Sequence, residues 1–145
     1  MARVKLALPE SFPFTTEIAL RITDINYGGH LGNDAVLALI HEARIRFLKS
    51  MGFSELDAGG GAGLIQSDAV IVFKSEAFYG EKIAVSAGIQ DFTATGCDFI
   101  FCMKEKTSGR EVARAKTGIV FFDYKNKKLL KVPDEFLQAV ETLEK

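Results

Sequence analysis

The chain has 145 residues, of which 48% are apolar and 26% charged, the balance of one ordinary globular domain rather than of a disordered or fibrous segment. Eighteen basic residues face nineteen acidic ones, so the clustered Lys and Arg footprint that drives nucleic-acid binding by counterion release is missing. No apolar run approaches a membrane span, and the apolar stretch after Met1 is too short for a secretory signal; together these predict a cytoplasmic protein with no membrane partner.

A first strand is expected from Thr15 to Thr23, where Ile18, Leu20 and Ile22 alternate with Glu17, Ala19 and Arg21. A polar, glycine-rich stretch follows from Asp24 to Gly32, the most unusual segment of the chain. Asn33 and Asp34 are both acceptable helix N-caps, and the run to about Met51 contains neither Gly nor Pro. Its apolar positions, Val36, Leu37, Leu39, Ile40, Ala43, Phe47 and Leu48, cover more than one narrow stripe, which predicts a buried helix. Gly52 supplies a stop.

From Gly63 onward the pattern is that of strands. Ala69, Ile71 and Phe73 share one face, as do Ile83, Val85, Ala87 and Ile89, then Phe99, Phe101 and Met103. A fourth run enters through Val112, Ala113 and Ala115 and continues through Ile119 to Phe122. Tyr79-Gly80-Glu81, Thr95-Gly96 and Ser108-Gly109-Arg110 read as joints. Lys125, Lys127, Lys128 and Lys131 form a basic cluster that is either a solvated turn or a contact for a small polyanion such as CoA. Pro133 and Asp134 open a short terminal helix. Cys97 and Cys102 fall inside a strand, and with only His30 and His41 to join them the spacing supports no metal site.

The expected class is therefore α+β, an antiparallel sheet of about five strands wrapped around a long central helix. Such a sheet has open edges, and pairing them between copies of the chain predicts a homodimer or homotetramer. Arg44 and Arg46 are expected to pair with carboxylates across that interface.

The segment Arg21-Ile-Thr-Asp-Ile-Asn-Tyr-Gly-Gly-His-Leu-Gly-Asn-Asp, followed by His41-Glu42-Ala43-Arg44, resembles the 4-hydroxybenzoyl-CoA thioesterase family of hotdog proteins. Members carry Asp-x-Asp, then Gly-His, then an Asn opening the helix and a later Glu-Ala-Arg. Asp24, Gly29-His30, Asn33 and Glu42-Ala43-Arg44 match in order and spacing. The resemblance implies a hotdog fold, hydrolysis of acyl- or aryl-CoA (or carrier-protein) thioesters without a cofactor or metal, and a site between subunits. One position departs. The second acidic residue, the family's usual catalytic carboxylate, is here Asn26, and an amide cannot take a proton. Plant acyl-ACP thioesterases, which use an Asn and a His in a comparable segment, are also similar here.

Thioester hydrolysis needs charge stabilisation on the carbonyl oxygen and activation of a water. Backbone amides at a helix start supply the first, and the resemblance points to the amide around Asn33. Gly28, Gly29 and Gly32 either let substrate approach that backbone or merely make a tight connection. Water activation falls to Asp24, His30, His41 or Glu42, with His30 reading equally as a structural residue. Glu42 lies eight residues beyond Asp34 on the same helical face, roughly 12 Å along the axis, which favours a structural role. Asn26, His30, Asp24 and Glu42 are thus the catalytic candidates, and Tyr27, Gly29, Asn33, Phe73 and Tyr79 the substrate-binding ones. Ser67 has no triad partners, and Gly59-Gly60-Gly61-Ala62-Gly63 lacks the lysine of a phosphate loop. Two other readings stay open: a hotdog hydratase or dehydratase using His30 and Glu42, and a non-catalytic acyl-thioester binder.

Overall fold

Period-two alternation of buried side chains builds a six-stranded antiparallel sheet. The computed structural model describes residues 3–144; Met1 and Ala2, part of the stretch read for a signal, and Lys145 lie outside the described residues. The strands are β1 (Phe14–Ala19), β2 (Gly63–Phe73), β3 (Lys82–Gln90), β4 (Gly96–Glu105), β5 (Glu111–Asp123) and the short β6 (Lys128–Leu129). Their order across the sheet is β1-β3-β4-β5-β2, with β6 continuing beside β5 where β4 ends. The two helices are α1 (Asn33–Ser50) and α2 (Asp134–Leu143). This is the α+β hotdog arrangement, with α1 packed on one face of the sheet.

Aromatic side chains join the two layers. Phe47 of α1 is wholly buried, stacks on Phe14 at 5.0 Å and meets Phe99 edge-on at 6.0 Å. Phe136 of α2 closes one end of the core against Phe121, Phe53 and Phe92, with ring centroids 5.0, 5.5 and 6.4 Å away. The other face of β4 is covered as well. Ile100 and Cys102 point away from α1 yet are buried, because the N-terminal segment crosses them. Phe12 and Pro13 pack over Gly88, and Arg114 Nη1 donates to Leu6 O at 2.9 Å to strap that segment down.

Four features differ from the sequence expectation. The first strand stops at Ala19 rather than Thr23, because the Asp24 carboxylate accepts the Arg21 N–H at 2.8 Å and closes a 3-10 turn over Ile22–Asp24. Helix α1 takes Gly32, not Asn33 or Asp34, as its N-cap. It is buried on one side only: Leu37 and Ile45 stay 40% and 38% exposed. Leu37 shares a side with Arg44, which faces β2, and β2 is an uncovered sheet edge. The arginines pair within the chain. Arg44 binds Glu55 at 3.1 Å and Gln66 at 3.2 Å, and Arg46 binds Glu42 at 2.8 Å while reaching Thr16 and Glu17 O on β1.

Near-complete burial of Arg44 would be costly without those partners, so this network pins α1 to the segment that follows it. His41 joins it through Glu55 at 2.6 Å. At the β4–β5 turn, two backbone N–H groups, of Thr107 and Ser108, hold the Glu105 carboxyl down at about 2. No helix among the described residues is long and apolar enough to cross a membrane.

Candidate active site

Between β1 and α1 the chain folds back on itself around Asn26. The Asn26 N–H donates to His30 O at 2.9 Å, and Gly29 N–H returns to Asn26 O at 3.0 Å. The side-chain oxygen, Asn26 Oδ1, accepts from Gly28 N at 3.0 Å and His30 N at 3.4 Å. Two backbone donors aimed at one atom fix the amide's orientation, so Nδ2 is left as a donor with no partner among the described residues. Gly29 takes φ = 86°, which an L side chain resists, and this lets the loop turn tightly enough to present His30.

This loop is tied to the β2–β3 connection. Leu31 N–H donates to Ala77 O at 2.7 Å, and Gly32 N–H to Asp24 O at 3.0 Å. Between the two walls lies a cleft of about 460 Å³. Asn26, His30, Leu31 and Asn33 line one side, and Phe73, Lys74, Ser75 and Glu76 the other.

The helix start opens into this cleft. Gly32 has no side chain to cap α1, and the Asn33 N–H has no acceptor among the described residues. An unpaired amide at the positive end of an 18-residue helix is suited to hold developing negative charge. His30 is one-third exposed, and its Nε2 stands 3.8 Å from Glu76 Oε1. Ser75 is committed elsewhere: its hydroxyl donates to Glu111 O at 2.7 Å and accepts from Arg110 Nε at 3.3 Å.

Of the residues singled out from the sequence, the structure thus brings together Asn26, His30, Asn33 and Phe73, with Gly29 shaping the loop between them. It places the others apart. Asp24 is buried behind the loop and turned to Arg21. Tyr27 projects fully into solvent at the loop tip, and Tyr79 is 64% exposed in a groove with Glu81 and Lys82. Glu42 sits on the outer side of α1 with Arg46. Sequence reading missed Lys74, Ser75 and Glu76, which reach the cleft only through the fold. Leu31 and Ala77 meet across 46 residues, and no local spacing announces that.

A second cavity, of about 470 Å³, lies between the Pro9–Pro13 stretch and the end of α2. It borders Phe47 near the far end of α1 and offers neither an imidazole nor a helix start. Of these two cavities, only the cleft at Asn26 combines an imidazole with a helix start.

Comparison with known proteins agrees with this placement of the fold. The profile of the thioesterase-like superfamily matches residues 20–140, a span containing the loop, α1 and the whole sheet except β1. The chain belongs to that superfamily. No curated protein matches it. Among solved structures, a 1,4-dihydroxy-2-naphthoyl-CoA thioesterase from Synechocystis superposes with a TM-score of 0.82 at 24% identity, over 91% of this chain and 98% of that one. A thioesterase superfamily protein from Jannaschia gives a TM-score of 0.82 at 17% identity, over 94% and 86% of the two chains. A DHNA-CoA thioesterase from Staphylococcus aureus gives 0.78 at 17%, over 90% and 89%. Identities this low establish the hotdog fold of this thioesterase-like chain and leave its chemistry to its own residues.

Proposed function

We propose that this thioesterase-like chain, residues 1–145 acting as a single domain, hydrolyses acyl- or aryl-CoA thioesters to the free acid and thiol. The carrying observation is the cleft in which two donors without partners, Asn33 N–H and Asn26 Nδ2, stand with an imidazole. The thioester carbonyl oxygen binds the two donors, which hold the charge that grows as water attacks. His30 takes the proton from that water and returns it to the sulfur as the C–S bond breaks. Phe73, 55% exposed at the end of β2, offers an apolar surface to the acyl or aryl group. Neither a cofactor nor a metal enters this reading.

The test is thiol release, followed with a chromogenic thiol reagent over a panel of short, long and aromatic acyl-CoAs and one acyl carrier protein. Both protein thiols are buried, and desolvation pushes Cys97 up to about 12, so the reagent reads released CoA and not the protein. Turnover on at least one thioester is expected, and its loss in His30→Ala. Tight binding of a thioether analogue with no turnover on any member would mark a non-catalytic binder, the reading that Asn26 at the carboxylate position favours.

The proposal extends to assembly. Strand β2 is an open edge, and Leu37 and Phe73 beside it are exposed apolar side chains. Pairing two such edges buries both, which supports a homodimer or a homotetramer in the cytoplasm. Light scattering should return a multiple of the 15.9 kDa chain mass, and a monomer at micromolar concentration would refute this part.

A further inference from the structure

We infer that Glu76 is the acidic partner of His30, so that the two form the proton-handling pair of the cleft. This rests on the hydrolysis proposed above and supplies what Asn26 removes from it. With an amide at the family's carboxylate position, a base must be assembled from other groups. Among the residues lining the cleft Glu76 is the only carboxylate. Asp24 is turned to Arg21, Glu42 to Arg46, and Glu55 to Arg44 and His41.

The chain holds Glu76 in place by its backbone and leaves its side chain free. Arg110 Nη2 donates to Glu76 O at 3.0 Å, and the next carbonyl, Ala77 O, accepts from Leu31 N. Leu31 directly follows His30, so one hydrogen bond sets the carboxylate and the imidazole in register. Among the described residues the carboxylate meets one charged or polar group, His30 Nε2 at 3.8 Å. That is ion-pair range and longer than a hydrogen bond, the looseness expected before substrate excludes water.

Proton accounting shows why the anion matters. Water's oxygen bonds to the thioester carbon while one of its protons passes to the imidazole, which becomes a cation. Glu76 stabilises that cation and keeps its own charge throughout. When the C–S bond breaks, the imidazolium gives the proton to the departing sulfur. Lys74, the other charged residue lining the cleft, opposes the cation, which makes the Glu76 contribution more necessary. Glu76 is therefore a positioning residue that acts through His30.

The test uses Glu76→Gln and Glu76→Asp in the full chain, with circular dichroism confirming the fold. In Glu76→Gln, kcat should fall about ten- to a hundredfold with KM nearly unchanged, and the acidic limb of the pH–rate profile should move to lower pH. Glu76→Asp should recover part of the loss. An unchanged kcat together with an unmoved pH–rate profile in Glu76→Gln would overturn the pair while leaving hydrolysis by His30 standing. A wild-type protein that releases no thiol from any thioester would bring down the hydrolysis reading and the pair with it.

Discussion

Asn26→Ala should lower kcat by about a hundred- to a thousandfold, the usual cost of deleting a donor to a developing oxyanion. Two losses combine in that variant. The Nδ2 donor disappears, and so does the Oδ1 acceptor that gathers the Gly28 and His30 amides. Asn26→Asp separates them: the acceptor stays and the loop keeps its shape, while the donor becomes a carboxylate at the position where the family carries one. A stopped assay across the same thioester panel, with melting curves for all three proteins, distinguishes chemistry from folding. Undiminished turnover in Asn26→Ala would take that amide out of the mechanism.

The largest loss of stability is expected at Phe47→Ala. The ring is wholly buried and bridges Phe14 on β1 to Phe99 on β4, so deleting it removes contacts in both layers and leaves a cavity between them. Such truncations cost about 3–5 kcal/mol. For a chain of this size that corresponds to a fall of roughly 10 °C in melting temperature. Should the variant not accumulate as folded protein, Phe47→Leu gives a smaller change measurable by urea unfolding. Phe73→Ala is the contrast. Its ring is more than half exposed, so the change should cost no more than about 0.5 kcal/mol in stability while still removing a wall of the cleft. Equal destabilisation by the two substitutions would place Phe73 in the interface between paired β2 edges and not on a free cleft wall.

Much of the architecture was legible because it depends on short-range periodicity. The alternation Ile83, Val85, Ala87, Ile89 reports β3 directly, and every one of those side chains is buried. Gly52, with φ = 86°, ended α1 where a stop was expected. The end of β1 was not legible. Leu20 and Ile22 continue the alternation in sequence, but a hydrogen bond from the Arg21 amide to Asp24 wins over the ladder. The apolar breadth of α1 exceeds what one chain buries, since Leu37 and Ile45 remain 40% and 38% exposed.

The candidate site divides along the same line. Asn26, His30 and Asn33 lie within eight residues and were found by motif. Glu76 lies across the cleft, in the irregular connection after β2, where an acidic residue looks like any solvated surface charge. Only the pairing of Leu31 with Ala77 brings it to His30. Asp24 is the converse case: a motif carboxylate that the fold turns away from the cleft to close a turn.

That single link from Leu31 N–H to Ala77 O also has a thermodynamic meaning. It joins two loops that would otherwise move separately, so the conformational freedom of both is surrendered when the chain folds and not when a ligand arrives. A molecule docking between Asn26 and Glu76 therefore meets two backbones already held in register, and its affinity is spared the part of the ordering penalty that a floppy lid would impose.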